Sequence, residues 1–208
     1  VKKSIAFFDF DGTITNRDTL LEFIRFAKGN ARFLLGFLVH SPYIAAYKLK
    51  LISNQRAKEK VLKHFFGGMS QHHFNELAKK FSGDELPGLI RKGALEEIIK
   101  LKAEGTEVVV VSASPENWIR YWTDGLGLTL LASSLDVEDD KITGRLAGMN
   151  CHGKEKVRRI LEKYDIGQFA VIHAYGDTTG DLPMLELAHV PHFKPFRTNK
   201  NRTRGKTH

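Results

Sequence analysis

Four aspartates, two serines and a lysine in this chain have types and spacings that could do chemistry together. They occur as Asp9-Phe10-Asp11-Gly12-Thr13, Ser112-Ala113-Ser114, Gly153-Lys154 and Gly176-Asp177-Thr178-Thr179-Gly180-Asp181. Each cluster directly follows a predicted strand or opens a predicted helix. Carboxylates gathered at one edge repel one another by roughly 4 kcal/mol per pair at about 4 Å and an effective dielectric near 20. Asp9, Asp11, Asp177 and Asp181 can therefore share a site only with a compensating cation. A donor set of oxygens, without His or Cys, points to a hard ion, Mg2+ by preference. An EF-hand is excluded: counting from Asp9, the sixth position is Ile14 rather than glycine and the twelfth is Leu20 rather than glutamate.

The elements that must position these residues follow from periodicity. Ile5–Phe10 reads as a buried strand and Glu107–Val111, with four consecutive valines, as another. Phe169–Tyr175 is a third, and Val190–Phe193 is a candidate for the last. Helices are predicted over Leu89–Glu104, Glu116–Asp124, Lys154–Tyr164 and Asp181–Ala188. Leu131–Val137 and Ile142–Leu146 suggest a hairpin. Between residues 16 and 88 the spacing is helical, with apolar faces at Leu20, Leu21, Phe23, Ile24 and Ala27, at Ala57, Val61, Leu62 and Phe65, and at Phe74, Leu77, Ala78 and Phe81. Gly29-Asn30 can close the first of these helices, and the apolar stretch Phe33–Ile52 suggests a helix pair broken at Pro42, buried or amphipathic, with a membrane-surface helix as the sharper alternative. The fold class is α/β: a Rossmann-like parallel sheet core, residues 1–15 and 89–193, with a helical cap over 16–88 inserted after the first strand, and a basic, mobile tail over 194–208. Ligands of such sheets bind at the carboxyl ends of the strands, where the four clusters fall.

Composition narrows the alternatives. The chain has 208 residues, 42% hydrophobic and 27% charged, with one cysteine, which excludes a disulfide framework and Cys-rich metal sites. The net charge of +8 is unevenly placed: residues 16–88 carry +6, residues 89–193 carry −4 and residues 194–208 carry +6. A basic nucleic-acid binder would be more uniform and would interleave aromatics, so no nucleic-acid partner is expected. The N-terminal apolar run is too short for a signal peptide. The expected location is cytoplasmic, with peripheral membrane contact left open through the basic tail and the apolar stretch of the cap.

Together, Phe7-Phe8-Asp9-Phe10-Asp11-Gly12-Thr13, Val108–Ser112, Lys154 and Gly176-Asp177-x-x-x-Asp181 resemble, in order, the four motifs of the haloacid dehalogenase superfamily. The helical insertion is similar to its C1-type cap. Asp177–Leu185 resembles the phosphoserine phosphatase-like branch, subfamily IB, and Ser114-Pro115 with Cys151-x-Gly153-x-Glu155-Lys156-Val157 is similar to bacterial members near phosphatidylglycerophosphatase C. The resemblance implies a Mg2+-dependent phosphomonoesterase with Asp9 as nucleophile, forming an aspartyl-phosphate, and Asp11 as general acid and base. It implies metal contacts from Asp9, the Asp11 carbonyl, Asp177 and Asp181. Ser112, Ala113 and Lys154 would bind phosphate. A halide leaves without a proton, so Asp11 favours phosphoryl chemistry over dehalogenation.

The substrate would be a small-molecule or lipid-headgroup phosphomonoester. Counted from the first motif, the cap residues that select it would be Asp18 and either Lys60 or Arg56, a departure from the Glu and Arg of phosphoserine phosphatases. Phosphoserine phosphatase proper, a phosphotransferase or phosphomutase, and a catalytically silent lipid- or partner-binding protein are the alternatives. No histidine shows metal spacing; His152 stands out by lying two residues before Lys154.

Overall fold

The computed structural model describes residues 3–49 and 51–197. Strand β1 (Ser4–Phe8) is followed by an irregular turn over Phe10–Ile14 and by the cap helices α1 (Thr19–Lys48), α2 (Asn54–Phe66), α3 (Gln71–Asp84) and α4 (Leu86–Leu89). The chain then returns through α5 (Lys92–Ala103), β2 (Glu107–Pro115), α6 (Glu116–Leu126), β3 (Thr129–Ser133), β4 (Leu135–Glu138), β5 (Lys141–Leu146), α7 (Lys154–Lys163), β6 (Val171–Gly176), α8 (Leu182–Glu186) and β7 (Val190–Phe193). The strand order β3-β2-β1-β6-β7 forms a five-stranded sheet, and all four pairings are parallel. This is the expected α/β architecture.

Alternation along the strands divides the core. Ala6 and Phe8 of β1, with Val108 and Val110 of β2, pack toward Phe10, Ile98 and Trp118. Ile5, Phe7, Val109 and Val111 face the other way, onto Ile160, Met184 and Leu185. Both faces are thus covered, which is why the strands read as continuous apolar runs. Phe23 of α1 is fully buried between Phe66, Phe74 and Phe81 of the cap and Trp118 of α6, with ring centroids 4.6 to 5.5 Å away. Cap and core therefore share one aromatic centre.

Two expectations need correction. Helix α1 is interrupted at Gly29, where the first helix was expected to close, with φ 77° and ψ 161°, but the further break expected at Pro42 is absent and Pro42 sits within the helix. Glycine adopts that backbone without a Cβ penalty. Proline at 42 deprives the Leu38 carbonyl of its helical N–H, but the Ser41 hydroxyl donates to that carbonyl at 2.8 Å. Second, residues 131–133 belong to the parallel sheet, and only β4 and β5 form the hairpin, which packs against the cap. Gly68 N donates to Ile142 O at 2.8 Å, and Ile142 N donates to Met69 O at 2.9 Å. Gly144, at φ 83°, lies so close to the Lys63 backbone that a Cβ there would overlap it. Sequence contiguity assigned the hairpin to the core; tertiary pairing adds it to the cap.

The basic tail expected over 194–208 falls outside the described residues from 198 onward. Phe196 lies against Tyr175 and Phe8, with centroids 5.7 and 6.4 Å away, so the start of that segment is packed on the core.

Candidate active site

β1 delivers Asp9 to the carboxyl edge of the sheet, between β2 and β6, and the Asp9 side chain is 9% exposed. The next residues must turn sharply. Gly12 makes this possible: its φ is 86°, and a Cβ there would come within 2.5 Å of the Asp177 carboxylate. β6 ends at Gly176, where a Cβ would strike Asp181, so the Asp177 and Asp181 loop folds tightly back toward β1. Carboxylate oxygens of Asp9, Asp177 and Asp181, all buried, lie within 4.8 Å of one another.

The cation among them is Lys156. Its Nζ donates to Asp9 Oδ1 at 2.5 Å and to Asp181 Oδ1 at 2.7 Å, and its side chain is 1% exposed. Lys154, the lysine expected here, is exposed at the first position of α7. Positions 154 and 156 are about 200° apart around a helix, and the face carrying buried Lys156 and Ile160 is the one turned inward. The lysine nearest the Gly153 turn thus points to solvent.

The remaining contacts fix each acid. Asp181 Oδ2 accepts from the amides of Asp177 and Thr178, at 3.2 and 2.9 Å, and from the Thr178 hydroxyl at 2.8 Å. Thr13 Oγ1 donates to Asp9 Oδ2 at 3.0 Å. Arg197 donates to Asp177 Oδ2 at 2.7 Å. Asp11 Oδ1 accepts from the amide and hydroxyl of Thr19 at 2.7 and 2.6 Å, and Asp11 Oδ2 accepts from Ser114 Oγ at 2.6 Å. Trp118 Nε1 in turn donates to Thr19 Oγ1 at 3.0 Å. Ser112, expected to face phosphate, is fully buried and accepts from Ser114 N at 3.0 Å. Ser112 Oγ also reaches Asp11 Oδ2 at 3.5 Å, and Ala113, the other residue expected to contact phosphate, lines the cavity wall with Ser114.

Electrostatics follow from burial and from Lys156. Burial pushes the Asp9 carboxyl up to about 7, even though Lys156 opposes the shift. Burial acts in the same direction on Asp181, but Lys156 and the Thr178 donors outweigh it and hold that carboxyl below its ordinary value. The two carboxylates drive Lys156 upward against its own desolvation, so it remains an ammonium.

These groups line a cavity of about 310 Å3 with Asp18, Asn54, Lys58, His152 and the Thr178–Asp181 loop. Asp18 keeps solvent access through the cavity, yet its pKa rises to about 6, first from the surrounding protein and then from the Asp11 charge. Of the described cap cations, Lys58 is the one that lines this cavity. It donates to Ala113 O at 2.8 Å and to Asn150 Oδ1 at 3.3 Å, and burial lowers its pKa. The expected selectors Arg56 and Lys60 line a separate cavity of about 480 Å3 beside Tyr43 and Lys63. They share one face of α2 at i and i+4, and Lys58 lies about 200° from Arg56 on the other. Lys58 and Thr19 are thus residues that spacing along the sequence did not single out, and Lys156 was quoted there within a motif but given no role. Helical phase, counted from buried Leu62 and Ile160, is the signal that could have found the two lysines.

The donor set fits a hard divalent cation. Three buried carboxylates converge and offer only oxygen ligands, and among the described residues Asp177 finds its positive partner only in the half-exposed Arg197. Asp9 and Asp177, with the Asp11 carbonyl, would hold Mg2+ there, and Asp181 would support it.

Comparison with known proteins agrees with this arrangement. Residues 6–186 match the haloacid dehalogenase-like hydrolase family model. Protein CicA of Caulobacter vibrioides is 34% identical over 194 residues, covering 91% of this chain and 85% of CicA. A protein of unknown function from Bordetella pertussis Tohama I superposes with a TM-score of 0.80 at 20% identity, over 92% of this chain and 89% of that one. A substrate-bound phosphoserine phosphatase superposes with a TM-score of 0.67 at 21% identity, over 93% and 86%. With four motif segments at one sheet edge and a family match spanning nearly the whole core and cap, the chain belongs to the haloacid dehalogenase-like hydrolases and has the fold of their phosphoserine phosphatase-like members.

Proposed function

We propose that the protein is a phosphomonoesterase working through an aspartyl-phosphate on Asp9. The observation that carries this reading is Lys156, buried between Asp9 and Asp181 beside Asp177 and facing a cavity that also holds Asp11. An anionic nucleophile must approach an anionic phosphate, and a fixed ammonium lowers that repulsion. Bound Mg2+ would add charge neutralisation for both partners.

Asp9 Oδ attacks phosphorus and the ester P–O bond breaks. Asp11, held in place by Thr19 and Ser114, gives its proton to the leaving oxygen. Asp11 then takes a proton from a water that attacks the phosphorus. The Asp9–phosphorus bond breaks, and inorganic phosphate and the Asp9 carboxylate are released. The amide of Ala113 and the Ser114 edge of the cavity would hold phosphate oxygens.

The cavity suits the phosphate and a small attached group, either a free metabolite or a lipid headgroup. Lys58 and Asp18, on the cap side, are the residues in place to read that group. The substrate-bound structural neighbour is a phosphoserine phosphatase. In this chain the two cap-side groups are a lysine and an aspartate, and a lysine offers no planar bidentate grip on a carboxylate. The test is phosphate release from a panel of phosphoserine, sugar phosphates, nucleotides and phosphatidylglycerophosphate with Mg2+. Asp9→Asn should abolish release from every active substrate; release that persists in this variant, or that ignores EDTA, overturns the reading. Transfer to an alcohol rather than water would identify a phosphotransferase.

A further inference from the structure

Between Glu22 and Glu59 the sequence contains no acidic residue and seven lysines or arginines. This segment includes the part of α1 beyond Gly29. Its inner face packs on α2: Phe37 lies 5.9 Å from the Phe65 ring, His40 4.4 Å from the His64 ring, and Gly36 passes so near Phe65 that a Cβ would overlap the ring. The opposite face is left uncovered by the described residues. Leu34, Leu35, Leu38 and Val39 are 66%, 63%, 70% and 59% exposed. At about 100° per residue they form one stripe roughly 140° wide. Leu49 and Leu51, beyond the helix end, are also exposed, at 70% and 73%.

Cations border this stripe at both ends. Lys28 and Arg32 line a cleft with Leu35, Val39 and the His64 ring. Arg56, Lys60, Lys63 and Arg145 line the cavity that begins at Tyr43, with Glu59 the acid among them. We infer that this face of the cap docks on the surface of an anionic phospholipid bilayer, the leucine stripe entering the headgroup boundary and the flanking lysines and arginines meeting phosphate groups. Charge complementarity selects this occupant. A second copy would bring two predominantly cationic faces together. An acidic protein would be met by Trp, Tyr and Arg anchors more than by a row of leucines and valine. No helix among the described residues is long and apolar enough to cross a membrane, so the surface lies on the bilayer.

The docking face is separate from the catalytic groups, so this inference holds whether or not the phosphatase reading does. The full chain is sedimented with vesicles of phosphatidylcholine alone and of phosphatidylcholine with phosphatidylglycerol. Binding to the anionic vesicles is expected, weakening as salt rises. Leu34→Ser with Leu38→Ser, and separately Arg32→Glu, should each reduce partitioning by roughly tenfold, with unchanged circular dichroism and thermal midpoint. Protein that stays in the supernatant at low salt, equal binding to neutral vesicles, or variants that bind as wild type overturn the inference. So does a dimer in sedimentation velocity that the leucine variant dissolves.

Discussion

Lys156 is one ammonium serving two buried carboxylates, and its position separates residues 154 and 156 into different roles. Breaking a buried ion pair by removing one partner commonly costs about 3–5 kcal/mol. Asp9, whose pKa already lies near 7, can protonate and relieve part of that cost. Lys156→Met should therefore lose stability at the low end of the range, on the order of 3 kcal/mol, and lose phosphate release. Lys154→Ala should change neither, as read by urea unfolding and a phosphate assay. The acids at 9, 11, 177 and 181 were legible because strand ends and glycines fix where they fall. The lysine was not, because the pattern names a helix start while the side chain that enters the site is set by helical phase, which depends on how α7 lies on the sheet. The same argument applies to Lys58 between Arg56 and Lys60.

At the scale of elements, α7 also carries Glu155, which accepts from Arg158 Nε at 2.7 Å and from Arg159 Nε at 2.9 Å. Arg158 first, then Arg159, holds its carboxyl at about 2 against an ordinary 4.5. A carboxyl depressed in the folded state stabilises fully above its unfolded pKa and loses that contribution as pH falls toward its folded value. The urea midpoint should drop between about pH 5 and pH 2, and Glu155→Gln should flatten that part of the profile. The hairpin tests a different kind of information. Its second strand was predictable from alternation, but its first was merged with β3, and its partner, α2, was not predictable, since pairing across the chain leaves no local signature. Gly144→Ala places a Cβ into the Lys63 backbone at a positive φ, and a cost of about 1–3 kcal/mol is expected from backbone strain alone. Calorimetry of the variant should show it. At Pro42 local reasoning erred because a neighbouring serine supplied the bond that the proline removes.

Over the whole molecule, the parallel sheet and its helical insertion follow from the order of buried strands and amphipathic helices, and the fold agrees with that reading. The coupling of cap to core does not follow from that order. Phe23, Phe66, Phe74, Phe81 and Trp118 form one cluster across both, so the cap should not melt by itself. Phe23→Ala should lower stability by about 3–5 kcal/mol while leaving a single thermal transition; a separate early transition in the wild type would contradict the shared core. The most direct test of the central claim is covalent: rapid quench of the enzyme with an active phosphomonoester and Mg2+ at low pH, then mass spectrometry of its peptides. The account predicts a phosphate-mass adduct on the peptide containing Asp9, absent from Asp9→Asn and from EDTA-treated protein. Turnover with the adduct on another residue, or continuing in Asp9→Asn, would contradict it.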